Sequence, residues 1–346
     1  MQDICTSNNS ARFRHGTQIG FTLIELLIVV SIIALALGLL LPALSRSRQI
    51  VTNLNCVNGL KQVGIASAAY STSNDNKLHG LTWDLESYTQ LSGIATPQTD
   101  VEAAVLQVID IIRRHSNDHS FAYPLPGFFP YARYSHLVLS DYFDGSFFPH
   151  ESFVCTFDAP LLAARDDPYN FDPTEFGLNP FEFEASRFGY SSSYYFSIAG
   201  MDVMQSTAVR SQDPYVVQSR WTQSRFSPRQ LDGIAAQNAK ERLENPRLTL
   251  VRAPSQKIMK YHEEVYHDDQ SDYFFKPGIV QPMLFFDSSV QTYAIEDVNP
   301  GWNPRFPASA SGARMLDDRS HKRTYYAGYM KWTRGGLRGI DVGRKE

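Results

Sequence analysis

The stretch GFTLIELLIVVSIIALALGLLLPAL, Gly20 to Leu44, carries a single charge, Glu25, and no other appears until Arg46. It is apolar on every side, which suits a lipid surround better than a one-sided protein core. As a helix, Phe21 to Leu41 would be about 31 Å long at about 1.5 Å per residue, close to the roughly 30 Å of a bilayer core. A cleavable signal peptide has a shorter apolar region, about 7–15 residues, ending in small residues. This run is longer and leads into Pro42-Ala43-Leu44-Ser45-Arg46. The expectation is a transmembrane helix.

The flanking charges leave its direction open. Arg12 and Arg14 precede the run, and Arg46, Arg48 and Lys61 follow it, so the count of basic residues is nearly balanced. The shortness of the head favours a cytoplasmic N-terminus.

Glu25 needs its own reason. A carboxylate in the apolar region costs up to about 2.5–3.5 kcal/mol at a helix centre, and such residues are usually functional. No Lys or Arg in the span can meet it. A free α-amine could, if the chain were cut just before Phe21 and a neighbouring subunit's amine paired with Glu25. The alternative is an acid reaching out to the headgroups beside the first helical turn.

These residues resemble the N-terminal segment of type IV prepilins and type II secretion pseudopilins: a small residue, an aromatic, then Thr, Leu, Ile and Glu in order, Gly20 to Glu25. The resemblance covers about 30 of 346 residues. It implies cleavage between Gly20 and Phe21 by the prepilin peptidase/N-methyltransferase and methylation of Phe21. It also implies an assembly role for Glu25, a place in the inner (cytoplasmic) membrane lipid and association with other pilin-like subunits. Pro42, which has no N–H for the Gly38 carbonyl, marks a kink site.

Beyond the membrane the helix is expected to continue. Val51, Leu54, Val57, Leu60 and Val63 recur at three-residue spacing, and Ser71-Thr72-Ser73-Asn74-Asp75-Asn76 reads as its stop. Asn55 to Leu78 resembles the second half of the first helix in a large pilin-like subgroup. That resemblance, with SFVCTFDAP around Cys155, suggests a Cys56–Cys155 disulfide; two buried free thiols are the alternative. The subgroup's terminal His, nine residues, Asp-Gly-His is degraded here. Pro277 stands in place of the His, and Ser288-Ser289 follow Asp287.

The resulting organisation is a leader (1–20), a transmembrane helix (21–42), its soluble extension (43–75) and an exported globular domain (76–346). The fold class is α+β: a long N-terminal helix packed on a mainly antiparallel β-sheet domain with inserted helices and long loops. Val101 to Arg114 and residues 228–244 read as helices. Ser186 to Val203, Gln256 to His267 and Pro282 to Ile295 read as strands. The stretches 115–150, 165–185 and 296–320 read as loops.

Signals for chemistry are weak. The chain lacks a phosphate-binding Gly-rich loop, a Gly-x-Ser-x-Gly elbow and a Cys-x-x-Cys pair. His262, Glu263, Glu264, His267, Asp268, Asp269 and Asp272 are rich in metal-ligand types. Strand alternation points His262 and His267 apart, and the spacing is not the metalloprotease one. Asp166, Asp167 and Asp172 are the candidate Ca2+ ligands, since a hard cation takes several oxygens; a polar turn has the same composition. No other cofactor is implied. Residues 21–346 hold 30 basic and 35 acidic side chains, so no nucleic-acid partner is expected. Two functions follow: a non-enzymatic pilin-like subunit, or a membrane-tethered carbohydrate-binding or enzymatic domain on a borrowed anchor.

Overall fold

The computed structural model describes residues 22–119, 121, 131–143, 148–168, 170–176, 189–197, 246–262, 264–265, 272–300, 314–317, 324–327, 329–331 and 336–343. The expected helix at 228–244 lies outside them, as do both ends, 186–188 and 198–203, of the expected 186–203 strand. The chain divides into two units, residues 1–50 and 51–346. Helix α1, Leu23–Ser73, supplies the described part of the first unit and continues into the second. It stays helical through Pro42.

Residues 22–48 are exposed along all described sides of α1. By length and composition it is the one helix among the described residues able to cross a membrane. Burial begins in the second unit, at Cys56, Leu60, Val63, Gly64, Ala66, Ser67 and Ser71. The three- and four-residue spacing of these positions is the inward stripe of an amphipathic helix. The helix ends where its sequence suggested: Asp75 and Asn76 take left-handed backbone (φ 51° and 59°), and the Asn76 N–H returns to the Ser71 carbonyl. Short polar Asp and Asn tolerate that conformation best among non-glycines.

Helix α2, Asp100–Ser116, starts at Thr99, whose hydroxyl accepts from the Glu102 N–H. It buries Val101, Val105, Val108, Ile109 and Ile112. The region 115–150, expected as loop, instead contains a short helix α3, Tyr131–Tyr134, running into a 3-10 stretch, Ser135–Tyr142. Its apolar residues Leu137 and Leu139 are buried in the main core. Helix α4 is Ala159–Asp166.

The central sheet has four antiparallel strands in the order β1 (Tyr194–Phe196), β2 (Ile258–His262), β5 (Val280–Phe285), β6 (Val290–Ala294). Two small ladders join β3 (Glu264–Val265) to β4 (Asp272–Tyr273), and β7 (Arg314–Asp317) to β8 (Thr324–Ala327). Strand β7 corrects the loop expected at 296–320. The single strand expected from Pro282 to Ile295 is a hairpin. Its turn, 286–289, is closed by Phe285 N–H to Ser289 and Ser288 N–H to Phe285, with Ser288 left-handed at φ 65°. That is the tight turn with a left-handed residue that usually carries Gly.

The sheet divides the hydrophobic interior. Leu284, Phe286, Tyr194 and Phe196 join the core of α1 and α2. Met283, Phe285, Tyr261 and Ile258 join a second core with Phe274, Phe275 and Val298. A register shift in β2 between Ile258 and Lys260 interrupts this alternation. A β-bulge places an extra residue in one strand, so the consecutive Met259 and Lys260 both serve the α1 side: Met259 joins the α1 core, and Lys260 Nζ lies 5.2 Å above the Phe196 ring.

Candidate assembly segment and its anchorage

The first turn of α1 explains part of Glu25. The Thr22 N–H and Thr22 hydroxyl both donate to Glu25 Oε2 (2.9 and 2.8 Å), and the Glu25 N–H donates to Thr22 Oγ1 (3.2 Å). This is a capping box, in which residues three apart satisfy each other's free helix-start donors. The Thr-x-x-Glu spacing was present in the sequence as its signal. Oε1 makes no hydrogen bond among the described residues, so the carboxylate retains an acceptor after capping the helix. Gly20 and Phe21 lie outside the described residues.

In the second unit, contacts fasten α1 turn by turn. Cys56 and Cys155, both buried, are joined as a disulfide with Cα atoms 5.1 Å apart and a sequence separation of 99. Beside the bridge, the Thr156 hydroxyl donates to the Thr52 carbonyl (3.1 Å). At Gly59 an added Cβ would meet the Ser152 carbonyl at 3.2 Å, and the Ser152 hydroxyl donates to Gln62 (2.6 Å). At Gly64 it would meet Leu284 at 2.9 Å and Ser288 at 3.1 Å. The two glycines therefore let the 3-10 turn at Ser152 and the β5–β6 hairpin approach the helix.

The hairpin turn contributes the next contacts. Ser288 Oγ donates to the Gly64 carbonyl (3.0 Å), and Lys61 Nζ donates to the Ser288 carbonyl (2.8 Å). Ser288 thus holds a position suited to Gly because its hydroxyl reaches the helix.

Asp158, three residues beyond Cys155, was not singled out in the sequence. Its carboxylate caps α4 through the Leu161 N–H (3.2 Å) and accepts from the Ser193 hydroxyl (2.7 Å). Ser193 Oγ in turn accepts from the Cys155 N–H (2.9 Å). Burial pushes the Asp158 carboxyl up to about 7 against the lowering effect of these hydrogen bonds. Its role is to shape the chain around the bridge.

Removing the bridge by Cys56→Ser with Cys155→Ser should lower domain stability by about 2–4 kcal/mol. The check is the denaturant midpoint of both proteins under oxidising conditions. An unchanged midpoint would show that the bridge contributes nothing.

The metal candidates do not converge. Asp166 pairs with Arg165 (2.8 Å), Asp167 accepts from Asn170, and Asp172 accepts from the Thr174 N–H and hydroxyl. Among the described residues no three His, Cys, Asp or Glu side chains are grouped to hold a metal ion. His262 is buried with its ring edge-on to Tyr194 at 4.8 Å, and Asp272 pairs with Lys276 at 2.7 Å. Glu264 lies in β3, in a separate ladder from His262. Glu263, His267, Asp268 and Asp269 lie outside the described residues.

Comparison with known families matches residues 17–41 to the prokaryotic N-terminal methylation motif. The comparisons with curated proteins and with solved structures give no match. The match spans Gly20 and Phe21 and most of the exposed apolar part of α1. The chain therefore carries a prepilin-type N-terminus on an α+β domain.

Proposed function

We propose that this chain is a non-enzymatic pilin-like subunit of a type II secretion or type IV pilus-like assembly. The prepilin peptidase cuts between Gly20 and Phe21 and methylates the new Phe21 amine. Residues 21–42 cross the cytoplasmic membrane once, with the leader 1–20 inside. Residues 43–75 extend the helix, and the domain 76–346 faces the extracytoplasmic side. The observation that carries this reading is the methylation motif at 17–41 coinciding with the first part of α1, which is apolar and exposed all round. Such a surface is the usual mark of a lipid contact.

Glu25 has two tasks in this reading. Oε2 caps its own helix, and the carboxylate meets the methylated amine of a neighbouring subunit. Thr22 keeps its amide N–H after cleavage before Phe21, so the cap persists in the mature chain.

Mass spectrometry of the N-terminus tests the processing. Native membranes should yield a chain starting at N-methylated Phe21, and Gly20→Leu should leave all of it as uncut precursor. An intact leader on the unsubstituted protein in cells with active peptidase would overturn the proposal.

A further inference from the structure

Through Ser67, helix α1 touches one member of a group of buried bases. Lys260, brought to the helix side by the β2 bulge, is 1% exposed, with its Nζ 5.2 Å from the centre of the Phe196 ring. The His79 ring lies 4.5 Å from the same ring. His79 Nδ1 is 2.8 Å from the Ser67 hydroxyl of α1, which also contacts Met259 Sδ at 3.7 Å. His79 Nε2 has no hydrogen-bond partner. His136, 1% exposed, packs on Phe153 at 4.6 Å. Neither of its ring nitrogens makes a well-formed hydrogen bond, although the Arg133 and Tyr190 carbonyls lie close enough to favour its cation.

No ion pair to His79, His136 or Lys260 occurs among the described residues. From α1 the facing group is Ser67, and Phe286 of the hairpin turn packs on Phe196; neither titrates in the usual range. The remaining charged or titratable neighbours have other engagements. Arg133 lies over Tyr195 at 5.1 Å. Asp158 binds Ser193 and feels Arg133 and Glu264. His262 lies edge-on to Tyr194, and Arg113 of α2 bonds the Phe121 and Ser92 carbonyls.

We propose that this cluster is an acid-opened latch: with His79 and His136 uncharged it holds residues 60–73 of α1 against the sheet, and protonation of the two histidines releases them. Burying a cation without a counter-charge is strongly unfavourable. Three such groups within mutual electrostatic reach add repulsion to that cost. The disulfide at Cys56 keeps the helix tethered while its later turns loosen.

Burial, with Lys260 as a positive neighbour, holds both histidines well below their ordinary range, and burial alone brings Lys260 down to about 7. As pH falls through 6.5, the unfolded or released histidines bind protons that the closed state refuses, so closed-state stability falls. Lys260 makes its own loss between about 10.5 and 7, and it is complete below that. Asp158 acts oppositely: with its carboxyl raised to about 7, it favours the folded state as pH falls from 7 toward 4. Asp158 belongs to the α4 cap, so a local readout on α1 separates the two effects.

The test is hydrogen exchange on the full chain in detergent micelles at pH 7.5 and 5.5, corrected for intrinsic rates. Protection of residues 60–73, relative to α2, should fall at least tenfold at pH 5.5. His79→Gln with His136→Gln should abolish most of that differential. A wild type with no differential, or a double variant that keeps it in full, would overturn the latch. Carbon-13 histidine NMR on the wild type serves if the variant does not fold: two ring signals should remain neutral well below pH 6.5. Ordinary titration of all histidines near 6.5 in the folded chain would also overturn it.

Discussion

Glu25→Ala in the full chain is expected to insert into the membrane as well as the unsubstituted protein and to lose lateral contact with neighbouring copies. Insertion scales penalise a carboxylate, so its removal cannot hinder entry into lipid. Assembly responds in the opposite direction. Removing one partner of a desolvated ion pair costs about 3–5 kcal/mol, because the other charge is left uncompensated. At about 1.4 kcal/mol per tenfold, cross-linking between copies in the membrane should fall by at least a factor of ten. Glu25→Gln separates the two tasks of this side chain. Its amide oxygen can still accept from Thr22 as Glu25 Oε2 does, so the cap survives while the charge is gone. If the Gln variant cross-links like wild type, capping is what matters and the proposed amine partner is wrong.

The second large effect concerns the chain's C-terminal clamp. Lys257 and Asp341 form an ion pair at 3.1 Å with side chains 0% and 1% exposed. The second Asp341 oxygen accepts from the Ile258 N–H at 2.9 Å. The Asp341 and Val342 N–H groups reach the Gln256 carbonyl, and Asn299 donates to the Asp341 carbonyl. Burial lowers the Lys257 amine from its ordinary range, while Asp341 opposes that shift and supports its charge. Asp341→Ala should therefore destabilise the domain by about 3–5 kcal/mol. Lys257→Met with Asp341→Leu should recover part of this, leaving the cost of an orphaned Ile258 N–H, about 1–3 kcal/mol. Denaturant melts of the full chain in detergent measure both. A double variant less stable than Asp341→Ala would show that packing around the pair, and not the uncompensated charge, dominates.

The sequence made the local features plain and the long-range ones obscure. The apolar run, the stop after Ser73 and the α2 stripe are short-range patterns, and each is helical or terminates as read. The hairpin at 286–289 reads as continuous strand because Asp287-Ser288 lacks the glycine that announces a left-handed turn residue. Only the hydrogen bond from Ser288 to Gly64, 224 residues away, explains that choice. Residues 135–142 have no helical period, so their 3-10 winding rests on the tertiary burial of Leu137 and Leu139. Lys257 and Asp341 are 84 residues apart, and nothing local marks them as partners. Lys260 reads as an ordinary strand residue until the bulge sends it inward. The Thr22–Glu25 cap is a local three-residue spacing set inside an apolar run, whose hydropathy is the stronger signal.

The order of fastenings along α1 sets a load path. Force drawn along this helix from its apolar end reaches the second unit at the Thr52–Thr156 hydrogen bond and the Cys56–Cys155 bridge. The contacts at Lys61, Gly64 and Ser67 come later in the chain. A hydrogen bond yields easily, so tension passes through sulfur into residue 155 and on to the turn that Asp158 and Ser193 shape. The turns after Cys56 remain mechanically slack. They can loosen or close without bearing the pull, and the domain stays attached to a taut helix in either state.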